Sequence, residues 1–286
     1  MTQSTGGYRT LIEPAELAAR AAGPLLAIID CRHDLARPEW GAESYAKGHI
    51  PGAAFAHLDR DLSGPITPHT GRHPLPEPGQ LAMRCGAWGI DAQVQVVAYD
   101  QGNGGVAARL WWLLRSLGHA RVAVLDGGLA AWQAAGLPLT TAVPSPPPRR
   151  FTIAPRLAAA VTTAELSAAL ARGTVTLIDA RSAERFAGRN ETIDPVAGHV
   201  PGARNHPFTA NLDAQGRFLD ADALRSAWER TLAGDAPERV VAMCGSGVTA
   251  CHNLLALERA GLPGARLYAD SWSGWIRDPR RPIEHS

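Results

Sequence analysis

At 286 residues the chain is longer than one hydrophobic core usually supports, and a prior of about 150 residues per domain predicts two domains. Hydrophobic residues make up 45% and charged residues 19%, an ordinary globular balance. The formal net charge of +1 gives no basic footprint for nucleic acid or an anionic membrane. No apolar run approaches a membrane span, and the polar stretch from Met1 to Thr10 has no apolar core of a signal peptide. Four scattered cysteines predict no disulfide framework, so the expected compartment is the reducing cytoplasm. No Cys-x₂₋₄-Cys pair exists, so zinc is not expected; no cofactor is expected.

In chain order, a helix is predicted from Glu13 to Ala21, with Pro14 in the tolerated first turn. Leu25 to Ile29 reads as a strand ending in Asp30-Cys31-Arg32, and Gly48-His49-Ile50-Pro51-Gly52-Ala53 as a turn. Ser63 to Pro78 is a long loop without periodicity, a length that is usually functional or disordered. Val94 to Tyr99 is a strand leading into Asp100-Gln101-Gly102-Asn103-Gly104-Gly105. A helix with Leu110, Trp111, Leu113, Leu114 and Leu117 on its apolar side follows. Val122 to Leu125 is a strand before Asp126-Gly127-Gly128, and the prolines between Pro138 and Arg150 make a stiff extended connection.

The pattern then repeats. Leu177-Ile178-Asp179-Ala180-Arg181 echoes Ile28-Ile29-Asp30-Cys31-Arg32, and Gly198-His199-Val200-Pro201-Gly202-Ala203 echoes the first Gly-His turn. Val240 to Cys244 echoes Val96 to Asp100, and Leu267 to Asp270 with Trp272 and Trp275 echoes Leu125 to Trp132. Four matches in one order predict a duplicated α/β unit, each copy a mostly parallel sheet with helices on both faces. The expected domains are 8–140 and 156–286, joined by a Pro-rich linker over 141–155.

The copies differ at one telling position. In the second, the buried strand Val240–Met243 stops at Cys244. The loop Cys244-Gly245-Ser246-Gly247-Val248-Thr249 then turns into a helix carrying Leu254, Leu255 and Leu257. A thiol there faces the positive end of the helix dipole and inward-pointing backbone N–H groups, which stabilise a thiolate, the nucleophilic form. Cys244 is therefore the candidate nucleophile. In the first copy Asp100 takes its place, with a loop read as two residues longer. That copy is expected to be catalytically silent and to shape the cleft. His49 and His199 occur in both copies and are read as structural; Cys251 is read as a core residue.

These motifs resemble the tandem-domain rhodanese-type sulfurtransferases over nearly the whole chain, and the Cys-Gly-Ser-Gly-Val-Thr loop resembles that of the 3-mercaptopyruvate sulfurtransferases within them. The resemblance implies a ping-pong reaction. A sulfane sulfur passes from a small-molecule donor to Cys244 as a persulfide, then to cyanide or a thiol acceptor such as a small thiol or a thioredoxin-like protein. It implies that Gly245, Gly247, Val248 and Thr249 line the donor site and that Arg185 binds the donor's carboxylate. It also implies a relay of Ser246, His73 and Asp59 beside the sulfur. The loop lacks the cations that a dianionic thiosulfate favours. The second carboxylate-binding arginine of the mercaptopyruvate enzymes is absent from Asn190 to Pro195, with Arg189 out of register. Thiosulfate as the main donor and a non-catalytic sulfur carrier are the competing readings. A phosphatase is disfavoured, because Cys-x₅-Arg is required and the sixth position after Cys244 is Ala250.

Overall fold

The computed structural model describes residues 7–20 and 23–286. The chain divides into two compact units. The first comprises the residues up to Ser63, Pro76–Leu157 and Gln215–Arg217; the second comprises Gly64–Leu75, Ala158–Ala214 and Phe218–Ser286.

The first unit contains β1 (Leu11–Ile12), α1 (Pro14–Ala18), β2 (Leu26–Asp30), α2 (Trp40–Lys47), β3 (Ala53–Phe55) and α3 (Leu58–Asp61). It continues with α4 (Pro78–Ala87), β4 (Gln95–Tyr99), α5 (Ala107–Ser116), β5 (Val122–Leu125) and α6 (Gly128–Ala134). The first helix is shorter than predicted; Ala21, its expected end, lies outside the described residues. The five strands are all parallel, in the order β1-β5-β4-β2-β3.

The second unit contains β6 (Ala160–Val161), α7 (Thr163–Ala171), β7 (Thr176–Asp179), α8 (Ala183–Phe186) and β8 (Arg204–Asn205). After these come α9 (Ala221–Leu232), β9 (Val240–Met243), α10 (Ala250–Arg259), β10 (Arg266–Tyr268) and α11 (Ser271–Trp275). Its strands are parallel too, in the order β6-β10-β9-β7-β8, so the sequence repeat is a repeat of topology. Parallel neighbours cannot be joined by hairpins, which is why helices connect them.

Both central strands are apolar without alternation because they are buried on both faces. In β9, Val241 and Met243 pack with Leu166, Leu177, Tyr268, Trp272 and Trp275, and all four of its residues are buried. In each unit an Asp-x-Arg pair secures the Gly-His turn. Arg32 binds Asp30 in bidentate fashion and donates to the Gly48 carbonyl at 2.8 Å. Arg181 does the same with Asp179 and the Gly198 carbonyl. Removing one partner of such a buried pair leaves an uncompensated charge, worth about 3–5 kcal/mol.

The histidines of the two turns behave as structural residues. His49 stacks on Tyr45 and is bonded through Nδ1 to its carbonyl at 2.9 Å; His199 stacks on Phe186 and contacts the Phe186 carbonyl at 2.8 Å. Residues 141–150 form no regular element, but the Arg149 N–H donates to the Gly86 carbonyl and its guanidinium pairs with Asp91. Contacts of this kind keep the chain with the first unit as far as Leu157. Among the described residues no helix is long and apolar enough to cross a membrane.

Candidate active site

In the second unit the chain runs from β7 outward to β8, then returns to the other side of β7 to form β9. A parallel sheet opens a crevice at such a reversal, outside the carboxyl ends of its strands. Asp179 at the end of β7 is in register with Met243 at the end of β9. The chain after β7 carries Arg185 on α8, the chain after β9 is the Cys244 loop, and the chain after β10 begins α11. Three adjacent strand ends therefore deliver the site's components.

Cys244 is 2% exposed, and its Sγ accepts the Gly247 N–H at 3.1 Å, the inward-pointing donor expected of this turn. Gly247 has φ +79, and an added Cβ would meet the Ala269 carbonyl oxygen at 2.3 Å, so only glycine fits. Thr249 lies at the N-cap position and Val248 is buried, its carbonyl accepting the Cys251 N–H that starts α10. Cys251, second in that helix, is buried with its thiol 3.4 Å from the Gly247 carbonyl. All four cysteines are free. Cys31 is pushed well up by burial and then by Asp30, Asp100 and Asp61, and burial pushes Cys85 up to about 12. Neither is a competing nucleophile.

The unpatterned stretch after Ser63 supplies a second component, because Gly64–Leu75 belongs to the second unit. The Gly71 N–H faces an Asp270 carboxylate oxygen at 3.4 Å, and the Arg72 N–H donates to Ser273 Oγ at 3.0 Å. Fixed this way, buried His73 has its Nδ1 2.7 Å from Ser246 Oγ. Ser246 and His73 of the expected relay therefore touch. Asp59 lies in the first unit, at the start of α3, where its backbone N–H donates to His57 Nδ1 at 3.1 Å.

Arg185 stands beside the loop. Its Nε donates to both carboxylate oxygens of Glu191 at 3.0 and 3.1 Å, and its Nη2 to Asp194 at 3.0 Å. Arg72, whose role the sequence did not disclose, pairs with the other oxygen of Asp194. A Cβ built on Gly245 would lie 3.0 Å from Arg72 Nη2 and 3.5 Å from Arg185 Nη2, so both guanidinium groups border the loop. The signal for Arg72 was its place next to His73. Arg189 is exposed. Burial pushes the Asp194 carboxyl above the usual carboxylate range, against the lowering by Arg72 and Arg185. Burial also acts upward on Glu191, but hydrogen bonds from Arg185 and the Asp194 and Ile193 N–H groups hold it below that range. Among the described residues no group of three His, Cys, Asp or Glu could hold a metal ion.

The first unit contains the same cradle with a different occupant. Asp100 Oδ1 accepts the N–H groups of Gly102 and Gly104 at 3.0 Å, and Oδ2 those of Val106 and Ala107 at 3.0 and 3.2 Å. The carboxylate is fully buried. The Asp100 carboxylate, expected to shape the cleft, is turned into its own loop, where it accepts four backbone N–H groups. That loop, Asp100–Val106, is one residue longer than Cys244–Thr249, not two. Asp100→Ala is expected to destabilise the first unit by about 2–4 kcal/mol, since four backbone donors, two of them buried, lose their acceptor. Sulfur transfer per folded molecule should stay within about twofold of wild type, a difference too small to signify a lost chemical role. Turnover corrected for folded fraction by circular dichroism checks this, and a hundredfold loss would assign the first unit a chemical role.

The rhodanese-like domain family model matches this chain twice, over residues 13–135 and 162–278. The chain belongs to the rhodanese-like family. A probable 3-mercaptopyruvate sulfurtransferase of Pseudomonas aeruginosa is 51% identical over 275 residues, 96% of this chain and 97% of that one. A putative thiosulfate sulfurtransferase of Mycobacterium tuberculosis is 42% identical over 277 residues, 96% of each chain. Among solved structures, the 3-mercaptopyruvate sulfurtransferase of Leishmania major superposes with a TM-score of 0.83 at 34% identity, over 98% of this chain and 77% of that one. In this rhodanese-like protein, the two matched segments each contain one copy of the sequence repeat.

Proposed function

We propose that this protein is a sulfurtransferase that takes a sulfane sulfur from 3-mercaptopyruvate onto Cys244 and passes it to cyanide or a thiol. The Cys244 thiolate attacks the donor's sulfur, the carbon–sulfur bond breaks, and its electron pair goes to carbon as the enolate of pyruvate. The donor thiol's proton returns to that carbon, leaving pyruvate and a Cys244 persulfide anion. An acceptor thiolate or cyanide then takes the outer sulfur and restores the thiolate. Ser246, in contact with His73, is placed to polarise the donor carbonyl as the enolate forms. Gly245, Gly247, Val248 and Thr249 would line the donor site, and the first unit, with its cradle filled, would be silent. A small thiol or thioredoxin-like protein is the acceptor this chemistry suits. Four free cysteines accord with a reducing compartment such as the cytoplasm.

The observation that carries donor choice is charge balance. Arg72 and Arg185 beside the loop are matched by Glu191 and Asp194, so the pocket is neutral in sum. A donor with one carboxylate fits this better than a dianion. Arg72 would supply the second carboxylate contact missing from Asn190 to Pro195. Thiosulfate remains the second reading, because two guanidinium groups do border the loop. With cyanide as acceptor, kcat/KM should be higher for mercaptopyruvate than for thiosulfate; the reverse order would overturn the donor assignment. Arg185→Ala and Arg72→Ala should each lower mercaptopyruvate kcat/KM about tenfold to a hundredfold, the value of a charge-assisted contact, chiefly through KM. An Arg185→Ala enzyme matching wild type would place the carboxylate elsewhere.

A further inference from the structure

Ser271, the first residue of α11, is fully buried and adopts φ +51, the left-handed region that a non-glycine residue occupies at a conformational cost. Its Oγ accepts the backbone N–H of Cys244 at 3.0 Å and donates to the Tyr268 carbonyl at 2.9 Å. The first unit provides an internal control at the equivalent position. There α6 begins with Gly128 at φ +55, where an added Cβ would lie 2.6 Å from the Asp100 carbonyl oxygen.

Both units dock this helix on the loop by the same two backbone hydrogen bonds. Trp272 N–H meets the Cys244 carbonyl and Ser273 N–H the Gly245 carbonyl, both at 2.9 Å. Leu129 N–H meets the Asp100 carbonyl at 2.9 Å and Ala130 N–H the Gln101 carbonyl at 3.2 Å. Docking therefore needs no side chain, and the first unit manages it with glycine. The hydroxyl, and the strain of carrying it, appear only where the strand ends in a thiol.

We infer that Ser271 is a positioning residue for Cys244: its hydroxyl fixes the peptide preceding the sulfur, and so the direction of Sγ toward the Gly247 N–H and the incoming donor. The inference rests on Cys244 being the nucleophile. Holding a reacting atom in line acts on the chemical step rather than on donor binding, so its loss should appear in kcat and leave KM in place. A residue kept only for packing would instead pass its effect through stability.

Two substitutions separate these cases. Ser271→Gly removes the hydroxyl and relieves the backbone; Ser271→Ala removes the hydroxyl and keeps the Cβ in the left-handed conformation. The glycine variant is expected to melt higher than the alanine variant, by a few degrees for about 1 kcal/mol of relieved strain. Both should nevertheless lose roughly tenfold in kcat with KM within about twofold, and alkylate at Cys244 more slowly with iodoacetamide at fixed pH. Wild-type kcat in Ser271→Gly, or activity that merely follows melting temperature across the pair, would overturn the inference. Cys244→Ser is assayed in parallel. If it is inactive while Ser271→Gly is normal, only the positioning role fails; if it turns over, the nucleophile assignment fails and the positioning role with it.

Discussion

Cys244→Ser is expected to lower sulfur transfer by at least about a thousandfold with either donor, with the fold unchanged. The two side chains are nearly the same size, so Sγ→Oγ leaves the packing of β9 and α10 intact. The change is chemical: a hydroxyl in this loop is not ionised at neutral pH, and oxygen forms no stable persulfide analogue. Intact-mass measurement after donor treatment should show one added sulfur on wild type and none on the variant. Peptide mapping should place the label on Cys244 and not on Cys251, whose buried thiol faces the Gly247 carbonyl. Cys31 and Cys85 should stay unlabelled, since burial holds both as thiols. Equal labelling of the variant, or a label mapped to Cys251, would defeat the assignment.

Gly247→Ala should be nearly as damaging, although it adds one methyl group and removes nothing. The residue has φ +79, and its new Cβ would lie 2.3 Å from the Ala269 carbonyl oxygen, a backbone atom that cannot swing aside. The loop must move, and the N–H that Gly247 directs at Cys244 Sγ moves with it. A displacement near 1 Å at a reacting centre lowers rate by about a hundredfold. Left-handed strain adds roughly 1–2 kcal/mol of destabilisation. Thermal melting and single-turnover persulfide formation, measured on the same sample, check both effects. Wild-type persulfide formation in Gly247→Ala would show that the Gly247 N–H is not needed at the sulfur. By contrast, Gly202→Ala, also at positive φ but with nothing within 4 Å of the new Cβ, should bear the same left-handed strain of roughly 1–2 kcal/mol yet alter turnover hardly at all.

Much of this was legible in the chain itself. Val240–Met243 announced a strand buried on both faces, the glycines and hydroxyls after Cys244 announced the turn, and the repeated Asp-x-Arg and Gly-His motifs announced the duplication. Each is a local signal, because burial pattern and turn chemistry are set by neighbouring residues. That is also why the shared strand order of the two sheets followed from the repeat alone.

What tertiary structure decided is whatever depends on residues distant in sequence. Nothing local says that the stretch holding Arg72 and His73 joins the second unit, over 170 residues from the Ser246 that His73 touches. Its length without periodicity marked it only as functional or disordered. Asp194 and Glu191 read as the absence of an expected arginine, yet they hold Arg185 and make the pocket neutral in sum. Asp100 read as a missing nucleophile, but its carboxylate satisfies four backbone donors of its own loop and of the start of α5. Nothing local singles out Ser271, yet its hydroxyl accepts the Cys244 N–H. A sequence displays which groups a chain carries; only the folded chain determines which buried donor meets which acceptor, since that pairing is set by the approach of strand ends and loops far apart along the backbone.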